Sequence, residues 1–245
     1  MKVDVAHRWD VSADEAKAIQ RDLMQRLRLD LPFQPAQTRF VAGVDNGYVR
    51  GEAGETAHAA VVVLDFPSLE VVETVTASCP VTFSYVPGLL TFREGPAVLS
   101  AIERLTVQPD LWLFDGHGVA HPRRFGLAAH LGLILDQPSV GCAKSRLVGR
   151  WEEPGPAFGD RAPIVDRGEV VGMAVRTRPG HTPLLVSPGH RLDVEGAVAA
   201  ALACCRDSRF LPEPTRLAHE LVTATARPLR QVSRAAATPM DSGSG

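Results

Sequence analysis

Aromatic residues and cysteines are sparse in this sequence of 245 residues: 6% is Phe, Trp or Tyr, and there are four Cys. The cysteines, at positions 79, 142, 204 and 205, never form a C-x-x-C pair. They therefore indicate neither a zinc site nor a disulfide framework and read as reduced, small core residues. No apolar run approaches the roughly 18 residues that a membrane span needs. The opening MKVDVAHRWD has charges where a signal peptide needs an apolar stretch, so a soluble, cytoplasmic protein is expected. A dominant charge is also missing: 26 Lys and Arg stand against 28 Asp and Glu, a formal net charge of -2. This excludes the global basicity of a histone-like protein and leaves room for a local basic patch. The patterns G-x-x-x-x-G-K-[ST], H-E-x-x-H and G-x-S-x-G do not occur, so nucleotide triphosphatase, zincin and serine-hydrolase readings have no anchor. His117 and His121 have i,i+4 spacing, but the glycines before His121 and Pro122 after it argue against a helix carrying both.

What is present is ordinary globular material, 45% hydrophobic and 22% charged, enough to bury a sizeable core. One domain over residues 1–228 is expected, with 229–245 as a disordered tail. Ser12, followed three positions later by Glu15, and Ile19, Leu23 and Leu27 on one face predict a capping box and an amphipathic helix over 12–30. Three β-rich runs follow at 39–50, 57–66 and 69–78, and their short links predict an antiparallel meander. The pattern then alternates: helix 92–107, strand 111–114, helix 123–135 and strand 139–141, as in a sheet with parallel strands. Residues 151–160, rich in Pro, Gly and acid, read as a surface loop. Strands at 163–166, 170–176 and 183–187 and helices at 193–206 and 214–226 complete the pattern. A meander leading into a helix and parallel strands is the layout of the ribonuclease H-like α/β fold, with a mixed central sheet flanked by helices. In open α/β sheets, sites lie at the carboxyl ends of strands.

Asp45 closes the apolar run Phe40-Val41-Ala42-Gly43-Val44, and a carboxylate inside a β-run is costly unless it has a partner. The alternative is a solvated residue on an open edge. Asp115 repeats the arrangement after Leu111-Trp112-Leu113-Phe114 and precedes Gly116-His117-Gly118, where glycines let a ligand approach the backbone. Glu94 stands at the start of the helix that follows the meander, where an acid can be merely a dipole partner. Together, two strand-end aspartates and a helix glutamate can converge on hard cations such as Mg²⁺, which polarise a phosphate and activate a water.

Five blocks make the comparison specific. Phe83-Ser84-Tyr85-Val86-Pro87-Gly88-Leu89-Leu90-Thr91-Phe92-Arg93-Glu94 resembles the wedge-and-helix segment of the endonuclease V family of deoxyinosine-directed repair nucleases. Asp115-Gly116-His117-Gly118-Val119-Ala120-His121-Pro122-Arg123-Arg124 is similar to the family's most recognisable motif. Gly141-Cys142-Ala143-Lys144-Ser145-Arg146-Leu147, Ser187-Pro188-Gly189-His190 and Leu211 to His219 continue the match in order. The resemblance spans 40–226. It implies Asp45, Glu94 and Asp115 as ligands of Mg²⁺, with Mn²⁺ able to substitute, Lys144 beside the scissile phosphate and His219 as a fourth active-site residue. For substrate contact it implies the wedge Tyr85 with Pro87 and Gly88, a base pocket at Gly116, His117, Gly118 and His121, Lys144 again, and Ser187, Gly189 and His190. Two departures stand out: Ser84 where the family commonly has Pro, and Asn46-Gly47 where it more often has an aliphatic-Ser pair.

The implied activity is a metal-dependent nick at the second phosphodiester bond 3′ to deoxyinosine, leaving 3′-hydroxyl and 5′-phosphate ends. The expected partner is DNA carrying deoxyinosine or other deaminated bases, bound by a monomer without any membrane. Rival readings are cleavage of inosine-containing RNA and a non-catalytic lesion-binding module. The module is disfavoured because bare phosphate binding would gain from losing the three carboxylates.

Overall fold

The chain, described from a computed structural model over residues 7–52, 54–206 and 209–236, with side chains as far as 227, is built on one sheet of eight strands. Helix α1 (Ala13–Met24) begins at the predicted capping box: Ser12 and Glu15 exchange hydrogen bonds across the first turn. Strands β1 (Phe40–Gly51), β2 (Gly54–Asp65) and β3 (Val71–Pro80) form the antiparallel meander. Helix α2 (Leu90–Ile102), β4 (Leu111–Phe114), α3 (Leu127–Leu135) and β5 (Ser139–Ala143) follow, with β4 parallel to both β1 and β5. Strands β6 (Arg161–Asp166), β7 (Glu169–Val175) and β8 (Leu184–His190) extend the sheet antiparallel, and α4 (Val194–Ala203) and α5 (Glu213–Ala236) close the fold. The order across the sheet is β3-β2-β1-β4-β5-β8-β7-β6. This is the mixed α/β architecture that the sequence pattern predicts.

Alternation along β1 decides which helix each residue meets. Val41, Leu111 and Leu113 face the core shared with α4 and α5, whereas Ala42, Val44 and Phe114 face α2 and α3. Asp45 continues the α5 side. Asn46 and Tyr48 continue the α2 side, and both bond a residue of α2.

Several boundaries differ from the sequence-based expectation. Helix α1 stops at Met24 rather than near residue 30, although Leu27 still packs beside Leu23 from the turn that follows. Helix α3 starts at Leu127, not at 123, because Gly126 must pass a backbone: a Cβ there would lie 2.4 Å from the His117 carbonyl oxygen. Helix α5 runs to Ala236, so the predicted disordered tail is helical over 229–236, and its remainder, 237–245, lies outside the described residues. The signal-peptide reading of the first residues falls partly outside them too, at 1–6. Residues 151–160 contain neither helix nor strand, as predicted. All four cysteines are free, with Cys142 and Cys204 buried. No helix among the described residues is long and apolar enough to cross a membrane.

Candidate active site

β4 is short and β1 is long, and the site occupies the step between them. Val44 pairs with Phe114, and the ladder continues for one more bond, from the Asp115 N–H to the Val44 carbonyl at 3.0 Å. This sets Asp45 and Asp115 side by side where β4 ends. Gly43, on the same face as Asp45, lets α5 settle directly on β1: a Cβ at Gly43 would lie 2.0 Å from the Pro214 carbonyl carbon and oxygen. That close approach brings His219 over the strand, and its Nδ1–H donates to Asp45 Oδ2 at 2.7 Å. One ligand atom each from Asp45, Asp115 and His219 lies within 4.8 Å of the others. Burial, and then the neighbouring Asp115, raise the Asp45 pKa. Lys144, just past β5, forms an ion pair with Asp115.

Glu94 approaches from the other face. It lies in the second turn of α2, buried, so the dipole-partner alternative does not describe it. Tyr48 donates its hydroxyl to Glu94 Oε1 at 2.9 Å, and Asn46 Nδ2 donates to Oε2 at 3.3 Å. Burial, with Asp45 and Asp115 nearby, pushes the Glu94 pKa up to about 8. The tight cluster is thus Asp45, Asp115 and His219, with Glu94 beside it on Asn46 and Tyr48. These last two escaped the sequence reading; their only signal is their place one and three residues after Asp45, on the opposite face. Asn46 Oδ1 is buried without a hydrogen-bond partner among the described residues. Two carboxylates and an imidazole, with a third acid and an unpaired amide oxygen close by, suit a divalent cation that favours oxygen ligands.

A cleft of about 360 Å³ opens beside this centre, and Asp115 and Lys144 form part of its wall. Tyr85, Pro87, Gly88, Gly116, His117 and His121 line it too. Tyr85 is 69% exposed, so it is not a core residue under the Pro87-Gly88 turn. Burial lowers the His117 pKa to about 4, and its Nδ1 is buried without a partner among the described residues. His121 is committed elsewhere: Nε2–H donates to the Gly88 carbonyl at 2.9 Å, and Nδ1 accepts from the Arg123 and Phe125 amides.

Four residues assigned to substrate contact are not brought to the cleft. Gly118 packs against β8, where a Cβ would meet the Pro188 carbonyl oxygen at 2.0 Å, and its N–H donates to the buried Ser187 hydroxyl at 2.9 Å. A Cβ on Gly189 would meet Ser139 Oγ at 2.3 Å. His190 pairs with Ser139, at the end of the sheet opposite Asp115, and bonds Asp136 at 3.2 Å. Here the motif marks a tightly packed backbone, which a sequence block cannot distinguish from a contact surface.

A ribonuclease H-like sheet with clustered acids at a strand end and a cleft alongside defines a nuclease of that fold. Residues 21–220 match the Endonuclease V family, and the chain belongs to it. It is 48% identical over 231 residues to Endonuclease V of Methanothrix thermoacetophila, covering 94% of this chain and 99% of that one. Identity to the Roseiflexus sp. strain RS-1 enzyme is 51% over 215 residues, or 88% and 94% of the two chains. The crystal structure of Streptomyces avermitilis Endonuclease V superposes with a TM-score of 0.85 at 42% identity, over 93% of this chain and 99% of that one. The Ciona intestinalis protein, bound to DNA containing an inosine, shares the fold at 24% identity with a TM-score of 0.75, over 88% and 98% of the chains.

Proposed function

We propose that this chain nicks a DNA strand at the second phosphodiester bond 3′ to deoxyinosine, leaving 3′-hydroxyl and 5′-phosphate ends, with Mg²⁺ or Mn²⁺ as cofactor. The observation that carries the reading is the wall shared by the cleft and the acidic centre: Asp115 and Lys144 belong to both. A base held in the cleft therefore leaves the adjoining backbone of the same strand over the carboxylates. Asp45, Asp115 and His219 would hold the cation, with Glu94 completing the set. When bound, the cation supplies Lewis acidity toward the phosphodiester and neutralises its charge.

The chain's own groups do the rest. The Lys144 ammonium offsets negative charge that builds on the phosphate oxygens. Tyr85 fills the gap in the base stack after the lesion leaves it, at about 1–3 kcal/mol for aromatic stacking on a base. Hypoxanthine differs from adenine in O6 and a protonated N1, so a backbone N–H near Gly116 aimed at O6 accepts the lesion and opposes the adenine amino group. Guanine shares both features and is excluded by leaving no room for its 2-amino group. His117, held neutral at pH 7 by burial, adds an uncharged imidazole to the same wall.

The test is a labelled duplex with one deoxyinosine, beside its adenine control and an inosine-containing RNA of the same sequence. Cuts are mapped at nucleotide resolution in Mg²⁺, Mn²⁺ and EDTA. One nick in the deoxyinosine strand with either metal, and none in EDTA, is expected. Asp45→Asn and Asp115→Asn are expected to cut at least on the order of 10²–10³-fold more slowly while still binding the lesion. Cutting in EDTA, or near wild-type rates in either variant, would sink the metal centre. Cleavage of RNA alone would move the substrate class, and binding without cutting would return the chain to a recognition module.

A further inference from the structure

We infer that Gln20, a residue outside both the cleft and the acidic centre, is a positioning residue for lesion recognition that locks the wedge loop to the opposite wall of the cleft. The inference rests on the function proposed above. It begins with an anomaly on α1, whose buried stripe runs Ala16, Gln20, Leu23, with Gln20 fully buried where the spacing calls for an apolar side chain. A buried amide is tolerated only if it is bonded. Gln20 Nε2 donates to the Gly88 carbonyl at 3.0 Å and to the Phe125 carbonyl at 3.1 Å, and Oε1 accepts from Arg123 Nε at 2.5 Å. One NH₂ group therefore bridges two segments far apart in sequence. Gly88 ends the wedge loop that carries Tyr85, and Phe125 ends the loop that begins at Asp115 and Gly116.

The Gly88 carbonyl receives three donors in all: Gln20, the His121 ring at 2.9 Å and Arg123 Nη2 at 2.7 Å. Gly88 itself has a φ of +78°, and a Cβ there would lie 2.8 Å from Arg123 Nη2, so this anchor needs glycine. The other end of the loop is held where Arg93 donates to the Phe83 carbonyl at 2.7 Å. Between the two anchors Tyr85 stands exposed, and among the described residues its side chain makes no hydrogen bond. The Arg93 guanidinium lies 6.0 Å from the centre of the Tyr85 ring, so the place of that ring relative to the base pocket is set by Arg93 at one end of the loop and by what grips Gly88 at the other. His121 and Arg123 grip Gly88 from within the loop that follows β4, whereas Gln20, among the described residues, grips it from a third element, α1, and binds the Phe125 carbonyl with the same amide.

Gln20→Met keeps the side-chain bulk and removes every hydrogen bond, whereas Gln20→Glu keeps an acceptor for Arg123 and loses both donations. Binding of the deoxyinosine duplex and its adenine control is measured by anisotropy with Ca²⁺ in place of Mg²⁺, beside melting temperatures. Each variant is made with Tyr85 intact and with Tyr85→Ala. Both variants are expected to lose about tenfold of the deoxyinosine preference, the cost of a lost hydrogen bond at a site that must hold its shape. In the Tyr85→Ala background the same changes are expected to alter the preference less than about twofold, because the loop then carries no ring to misplace. A lowered melting temperature with unchanged preference, or the full tenfold loss without Tyr85, would overturn the inference in favour of a merely structural Gln20. If Gln20→Met does not fold, Gln20→Glu alone decides. A wild-type chain with no deoxyinosine preference would instead overturn the proposed function itself.

Discussion

Glu94 is an acid kept away from water, and the consequence is measurable without any substrate. Its pKa in the folded chain is pushed up to about 8 from an ordinary 4.5, so between those values the native state holds a proton that the unfolded chain releases. Unfolding then loses protons, and stability falls as pH rises through this window, with a slope approaching about 1.4 kcal/mol per pH unit. The raised Asp45 pKa acts in the same direction. Urea unfolding in EDTA from pH 5 to 8.5 is expected to show this decline, and Glu94→Gln to flatten much of it; a wild-type curve level across the window refutes the assignment. Asp45 and Asp115 could be picked out beforehand because each follows an apolar run that an unpartnered carboxylate does not suit. Gln20, Asn46 and Tyr48 could not. Their importance lies in bonds to residues 88, 94 and 125, and a one-dimensional pattern carries no trace of such partners.

Among the elements, α5 matters most because of how close it comes. Its N-terminal turn touches the backbone of β1 at Gly43, and no side chain fits between them. Gly43→Ala is expected to force α5 outward, cost about 1–3 kcal/mol, and draw His219 away from Asp45. Calorimetry should therefore find weaker divalent-cation binding along with a lowered melting temperature, and unchanged cation affinity would show that α5 does not set the His219 position. The glycines after β4 divide along similar lines. Gly118 cannot be exchanged without disturbing β8, so Gly118→Ala reports on folding. A Cβ at Gly116 would instead meet the softer Leu127 side chain at 3.2 Å, but its φ of +159° is one that L side chains rarely adopt, so Gly116→Ala perturbs the backbone at the base pocket without disturbing β8. Strand identity and the antiparallel meander followed from alternation and short links, but the antiparallel addition of β8, β7 and β6 beyond β5 did not. The ends of α1, α3 and α5 did not, because they depend on contacts with other segments rather than on local spacing.

At the scale of the whole molecule, a formal charge of -2 gives no long-range attraction to a polyanion. Affinity for DNA must come from the few cations that meet phosphates directly, and each contributes about -0.9 to the slope of log K against log salt on duplex DNA. Lys144→Gln is expected to reduce that slope by about one such contact; an unaltered slope places Lys144 away from the backbone. The same view shows how scattered the centre is along the chain. Asp45, Glu94 and Asp115 all precede the midpoint of the sequence, and His219 comes about a hundred residues later, on the helix that Gly43 admits. A ribosome that has made 200 residues has already produced every acid of the centre, but not the helix that closes over Asp45. The centre described above is therefore complete only once α5 has been made, because a chain ending before Glu213 lacks the His219 that bonds Asp45.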